Sequence, residues 1–262
     1  MTKPTISANT LEAGDATRPT LILLHGLGMS AWMWRPQLAV LGAHYHTITP
    51  NLPGVGVPTD EPFTLERAAQ FVVELAQTQI GPAHICGLSL GAMVALQVYQ
   101  TAPELVASLV LSGGQFHPNR LLMGVQQALM SLIPEREFND DVPKQFRQRY
   151  PECVAAAQAT PRQIDKRSIM TVVRTMAAVD FRHLLPTVAV PTLVVCGAKD
   201  TPNLSASRHM ARAIPHATLK IIPHVGHVWN LEEPDLFAQT VLTFVQRVDA
   251  RTGRADEPLR LA

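Results

Sequence analysis

His84-Ile85-Cys86-Gly87-Leu88-Ser89-Leu90-Gly91-Ala92-Met93-Val94-Ala95-Leu96 is the stretch that decides how this chain is read. An apolar run enters a glycine-flanked serine, and a run of helix formers starts directly on the far side. Gly-x-Ser-x-Gly between a strand and a helix describes a nucleophile elbow, a sharp turn that holds a serine hydroxyl out at the end of a strand. Glycines are needed at 87 and 91 because side chains there would collide with the neighbouring elements, while Ser89 itself takes a strained backbone conformation. The helix that begins beside Ser89 directs its positive end toward developing negative charge, and the Leu90 N–H is placed to donate to an oxyanion.

Outward from this turn the same strand and helix rhythm repeats. Thr20-Leu21-Ile22-Leu23-Leu24 is a short continuous apolar run, as expected of a strand buried on both faces, and it closes in His25-Gly26-Leu27-Gly28. Helical spacing follows over Ala31 to Leu41, a strand at Thr47 to Pro50, and a helix over Thr64 to Ile80 with Thr64 as its cap. After the elbow come strands at Ser108 to Ser112 and Thr192 to Cys196, a helix around Ala206 to Ala213, a strand at Thr218 to Ile222 and a terminal helix from Glu232 to Arg247. The fold class is therefore α/β, a doubly wound and mostly parallel sheet. Between Gln115 and Leu185 the strand rhythm stops, and Met-, Gln- and Arg-containing helical sequence is broken by Pro134, Pro143, Pro151 and Pro161. We read residues 115–185 as an inserted helical cap and residues 1–114 with 186–262 as the sheet domain. Apolar cap positions such as Met123, Leu129, Met130, Leu132, Ile133 and Met176 suit either a pocket or ordinary helix packing.

An alcohol is a weak nucleophile at neutral pH, so Ser89 needs a base in hydrogen-bond reach and the base needs an orienting acid. Of the ten histidines, His227 is the best placed, in a glycine-containing loop after the last strand; His224 is the runner-up. Asp200 follows the strand ending at Cys196, whereas the preceding strand is followed by Gly113 and Gly114. The order Ser89, Asp200, His227 is the one this architecture imposes on a catalytic triad. Leu27, after the first buried strand, is the candidate second oxyanion donor through its backbone N–H, with His25 a structural neighbour. Trp32 and Met93 lie near the inferred catalytic loops and are candidate substrate contacts.

Taken together, His25 to Gly28, Gly87 to Gly91, Gly197 to Asp200 and His224 to His227 resemble the α/β-hydrolase superfamily. The Cys86-to-Gly91 and Asp200 stretches are similar to small bacterial esterases and to hydrolases of the 3-oxoadipate enol-lactonase kind. This resemblance implies acyl transfer to water without a cofactor or metal. Serine at the nucleophile position departs from the dehalogenase and epoxide-hydrolase branches, which use a carboxylate. The segment after the second strand also departs from the family's Asp-x-x-Gly-x-Gly-x-Ser, reading Asn51-Leu52-Pro53-Gly54-Val55-Gly56-Val57-Pro58. The turn is kept, with a polar role for Asn51 and Pro58 left open.

Composition limits the alternatives. With 22 basic and 21 acidic side chains, a net charge of +1 and 47% hydrophobic residues, the chain carries no electrostatic footprint for nucleic acid or an anionic membrane. A small-molecule substrate is the expected partner; oligomeric state is not legible. Cys86, Cys153 and Cys196 form no metal or disulfide pattern, Met1 to Arg18 lacks a signal-peptide core, and no apolar stretch reaches spanning length, so a cytoplasmic protein is expected. The function expected is hydrolysis of a small apolar ester or lactone. C–C bond hydrolysis of a diketone-like substrate and a non-catalytic ligand receptor are the alternatives.

Overall fold

Leu21, Ile22, Leu23 and Leu24 are all fully buried, and they alternate: Ile22 and Leu24 join one apolar cluster, Leu21 and Leu23 another. A strand covered on both faces requires this, because successive side chains enter opposite layers. The structure, a computed structural model, describes residues 10–55, 59, 61–118, 124 and 166–253. Among them one sheet contains β1 (Thr10–Ala13), β2 (Thr20–Leu24), β3 (His46–Pro50), β4 (Ala83–Leu88), β5 (Val106–Ser112), β6 (Thr192–Gly197) and β7 (Ala217–Ile222). Their order is β1-β3-β2-β4-β5-β6-β7. Only β1 with β3 is antiparallel. Among the parallel strands, chain order runs outward from β2 in both directions, so the β2–β4 pair is the switch point, where a crevice opens beyond the strands' C-terminal ends.

Helices cover both faces. They are α1 (Arg35–Gly42), α2 (Leu65–Gln77), α3 (Leu90–Thr101), α4 (Lys166–Ala178), α5 (Thr201–Ala213), α6 (Trp229–Glu232) and α7 (Pro234–Thr252). Val72, Leu96 and Met210 bring α2, α3 and α5 onto one cluster, and Leu41, Trp229 and Val241 bring α1, α6 and α7 onto the other. Thr64 caps α2 as expected, its hydroxyl accepting the Arg67 N–H at 3.2 Å, a bond worth about 1 kcal/mol. A buried polar series anchors α7 at the far end of the sheet from Ser89. Ser108 Oγ lies 2.7 Å from His84 Nδ1, His84 Nε2 lies 3.1 Å from Asp249 Oδ1, and Tyr45 donates to Asp249 Oδ2 at 2.6 Å.

Some boundaries differ from expectation, each for a local reason. Strand β1 has four residues and pairs only at the sheet edge, too short for a periodic signal. Helix α5 starts at Thr201 rather than near Ala206, because Pro202 is tolerated in a helix's first turn. The terminal helix is divided, since Pro234 lacks an N–H and opens α7 at its first position. The expected cap falls mostly on residues 119–123 and 125–165, which with Met123, Leu129, Met130, Leu132 and Ile133 lie outside the described residues; Pro58 and Cys153 lie outside them too. Its two flanks are described: Phe181 N–H donates to Phe116 O at 2.8 Å, and Met176 packs against the first cluster. Among the described residues no helix is long and apolar enough to cross a membrane.

Candidate active site

Ser89 sits between β4 and α3 at φ 58° and ψ −114°. Among the described non-glycine residues only Ser89 and His224 have positive φ, a conformation costing about 1–3 kcal/mol outside glycine. Packing dictates the turn. A Cβ at Gly87 would strike the Gly91 backbone, and one at Gly91 would strike the Leu24 carbonyl of β2. Ser89 N–H donates to Ser112 O at 2.8 Å, which ties the elbow to the end of β5. Leu90 is the first residue of α3, so its N–H is one of the donors a helix start leaves without an intrahelical partner.

The loop after β2 runs beside Ser89: a Cβ at Gly26 would lie 3.5 Å from the Ser89 Cβ. His25 fixes this loop from below. Its Nε2 accepts the Leu52 N–H at 2.9 Å, so Nδ1 carries the proton and donates to Gly26 O at 3.0 Å. In a trans peptide the C=O and N–H point oppositely, so holding Gly26 O against His25 turns the Leu27 N–H the other way. Asn51 adds a second tie, its Oδ1 accepting the Ala31 N–H at 2.6 Å. The polar role left open at this position is thus filled.

Burial lowers the His25 pKa from 6.5 to about 4. Between those values the unfolded chain binds a proton that the folded protein refuses. The contribution is therefore complete above pH 6.5 and is lost as pH falls toward 4; it amounts to about 3 kcal/mol. We expect the stability advantage of wild type over His25→Gln to shrink by about that amount between pH 7 and 4. Urea midpoints at a series of pH values measure it, and a constant advantage would refute it.

Asp200 and His227 meet over Gly113. His227 Nδ1 lies 2.7 Å from Asp200 Oδ2, and a Cβ at Gly113 would lie 3.0 Å from both atoms. A side chain at the end of β5 would therefore crowd both members of the pair. Although Asp200 occupies the position before α5, its side chain makes no capping bond; the carboxylate, 4% exposed, faces the imidazole, 36% exposed. The bond to an ionised carboxylate puts the proton on Nδ1 and leaves Nε2 as a free base. Ser112, whose carbonyl holds the Ser89 N–H, directly precedes Gly113. Ser89 and His227 thus flank one turn, and among the described residues no hydrogen bond joins the Ser89 hydroxyl to the ring. Such bonds commonly close only when substrate is bound. His224 is exposed, at φ 66°, and takes no part in the pair.

Three further residues shape the site without having been singled out from sequence. Asn203 donates to Asp200 Oδ1 at 2.8 Å, Gln115 donates to Asn203 Oδ1 at 2.6 Å, and Glu232 accepts the Gly226 N–H at 3.1 Å. The one available signal was spacing: Asn203 is three residues past the acid, in the first turn of a helix. Met93 is fully buried in one core cluster and Trp32 nearly so in the other. Among the described residues no three His, Cys, Asp or Glu side chains group as metal ligands.

Comparison with known proteins adds an independent finding. A sequence model described as "Alpha/beta hydrolase family" matches residues 21–240. The (E)-2-((N-methylformamido)methylene)succinate hydrolase of Acinetobacter baylyi is 25% identical over 251 residues, covering 92% of this chain and 94% of that protein. The 3-oxoadipate enol-lactonase 1 of the same organism is 25% identical over 248 residues, covering 90% and 91%. A solved structure of a hydrolase from Pseudomonas aeruginosa PA01, 26% identical, gives a TM-score of 0.77 over 90% of this chain and 93% of that one.

Proposed function

The chain belongs to the alpha/beta hydrolase family, and from that premise we propose that it is a serine hydrolase cleaving a carboxylic ester or lactone of a small apolar substrate. The observation that carries this reading is the 2.7 Å contact between His227 Nδ1 and Asp200 Oδ2, standing over the turn whose other flank is the strained Ser89. In this reading Ser89 Oγ attacks the substrate carbonyl while His227 Nε2 takes its proton, and Asp200 stabilises the imidazolium. The tetrahedral oxyanion is held by the Leu27 and Leu90 N–H groups. His227 then protonates the departing alkoxide, which in a lactone stays tethered to the acyl group. Water deprotonated by His227 releases the acid and restores Ser89.

Residues 115–185, whose flanks join at Phe116 and Phe181, serve in this reading as a cap over the site. The inclusion of lactones among the substrates draws on the relative whose name is 3-oxoadipate enol-lactonase 1. A fluorophosphonate probe should label Ser89, and a chain-length series of esters and lactones should be turned over, fastest for the short members. Absence of both label and turnover would leave a ligand receptor. Labelling combined with cleavage of diketones alone would move the assignment to C–C bond hydrolysis.

A further inference from the structure

Gln115 Nε2 lies 3.3 Å from the Pro202 carbonyl and 2.6 Å from Asn203 Oδ1. A carbonyl only accepts, so the nitrogen end of the Gln115 amide faces Pro202, and the same NH₂ group supplies a donor to Asn203. The oxygen of Asn203 is thereby fixed toward Gln115, and its nitrogen toward Asp200 Oδ1 at 2.8 Å. Asp200 Oδ2 takes the His227 Nδ1–H. Four side chains thus form a directed series in which two amides donate toward one carboxylate. Its first member, Gln115, directly follows Gly113 and Gly114 at the head of the inserted segment.

The start of α5 shows why the series is needed. An aspartate preceding a helix ordinarily accepts the backbone N–H of the second or third helical residue. Here the second residue is Pro202, which has no N–H, and Asp200 makes no capping bond. Among the described residues, the Asn203 side chain is the donor that reaches Oδ1 of this buried carboxylate. Asn203 Nδ2 also lies 3.2 Å from His227 Nδ1. Because Nδ1 already carries the proton shared with Asp200, this is a contact between two donors, and it sets the positive end of the amide dipole against the ring.

We propose that Asn203, braced by Gln115, is a positioning residue for the Asp200–His227 pair, holding the carboxylate in the plane that receives the Nδ1–H. The kinetic consequence rests on the serine-hydrolase reading; the geometric one does not. Removing the amide concentrates the Asp200 charge on the atom facing His227 and withdraws a positive dipole from the ring, and both changes favour imidazolium. Other ionisable neighbours are the Cys196 thiol, 3.8 Å from Asp200 Oδ2 and pushed up to about 11 by burial, and Glu232, bonded to Gly226 N–H. Both are retained in the variants.

The test uses the full chain with Asn203→Leu, Asn203→Asp and Gln115→Leu. In Asn203→Leu we expect kcat to fall about ten-fold with KM within about two-fold, and the acid limb of kcat/KM to move to higher pH by about half a unit. Asn203→Asp, closest in size, should move the limb further by adding a second carboxylate, and Gln115→Leu should move it less. Site loosening alone would lower kcat and leave the limb in place. The His227 ring followed by NMR through a pH titration of the resting protein reports the same shift without turnover. If wild type neither hydrolyses esters nor takes the fluorophosphonate, the hydrolase reading falls while the titration still decides the role of Asn203. An unmoved midpoint in Asn203→Leu overturns the proposal; should that variant not fold, an unmoved midpoint in Asn203→Asp does so.

Discussion

Ser89→Ala is expected to lower kcat/KM for a short activated ester by about 10⁴-fold or more, equivalent to about 5.5 kcal/mol of transition-state stabilisation. The size follows from what alanine retains. Its Cβ keeps the elbow's shape, and the Ser89 N–H to Ser112 O bond is a backbone bond, so the fold and the Leu27 and Leu90 donors persist while the attacking oxygen disappears. Residual hydrolysis above the rate in buffer would then measure what the oxyanion donors and binding achieve alone. Adding His227→Ala to Ser89→Ala should cost little more, because a base without its nucleophile has no proton to take. Stopped-flow or initial-rate kinetics on both variants, with thermal melts to confirm folding, settles the matter. Activity within ten-fold of wild type in a folded Ser89→Ala protein would exclude the acyl-enzyme at this residue.

The physics of patterning explains which parts of the site were legible from sequence. Buried parallel strands must be apolar throughout, so Thr20–Leu24 and Thr192–Gly197 announce themselves, and the residues just past their ends inherit positions at one rim of the sheet. That is why Asp200 and Leu27 could be placed from sequence, whereas β7 is largely exposed and His227 was found through its glycine-containing loop. The empty place after β5 was also readable, since Gly113 and Gly114 offer no acid; in the structure the Gly113 turn lies against Asp200 and His227. What stayed hidden depends on side-chain direction. Nothing in Thr201-Pro202-Asn203 says that the amide turns back to the carboxylate, nor that Gln115, 88 residues away, fixes its orientation.

Gly91→Ala sets two rules against each other, and magnitude decides between them. By helix propensity alone, alanine in the first turn of α3 should stabilise by up to about 1 kcal/mol. The added Cβ, however, would meet the carbonyl of Leu24 and lie 2.9 Å from His25 O. Both belong to backbone, at the end of a fully buried strand and the start of the loop carrying Leu27, so neither can rotate away. Relief requires separating α3 from β2, which opens the apolar cluster containing Leu24, Leu90 and Val94; we expect a loss of more than about 4 kcal/mol, in the range where folding fails. Gly28→Ala is the control, since Gly28 has φ +73° but nothing within 4 Å of a Cβ, leaving only a backbone cost of about 1 kcal/mol. Urea denaturation should therefore rank wild type, Gly28→Ala and then Gly91→Ala, with the last also depleted in soluble yield. A Gly91→Ala protein as stable as wild type would mean that helix and strand do not approach closely at the elbow, and the strained Ser89 turn would lose its structural cause.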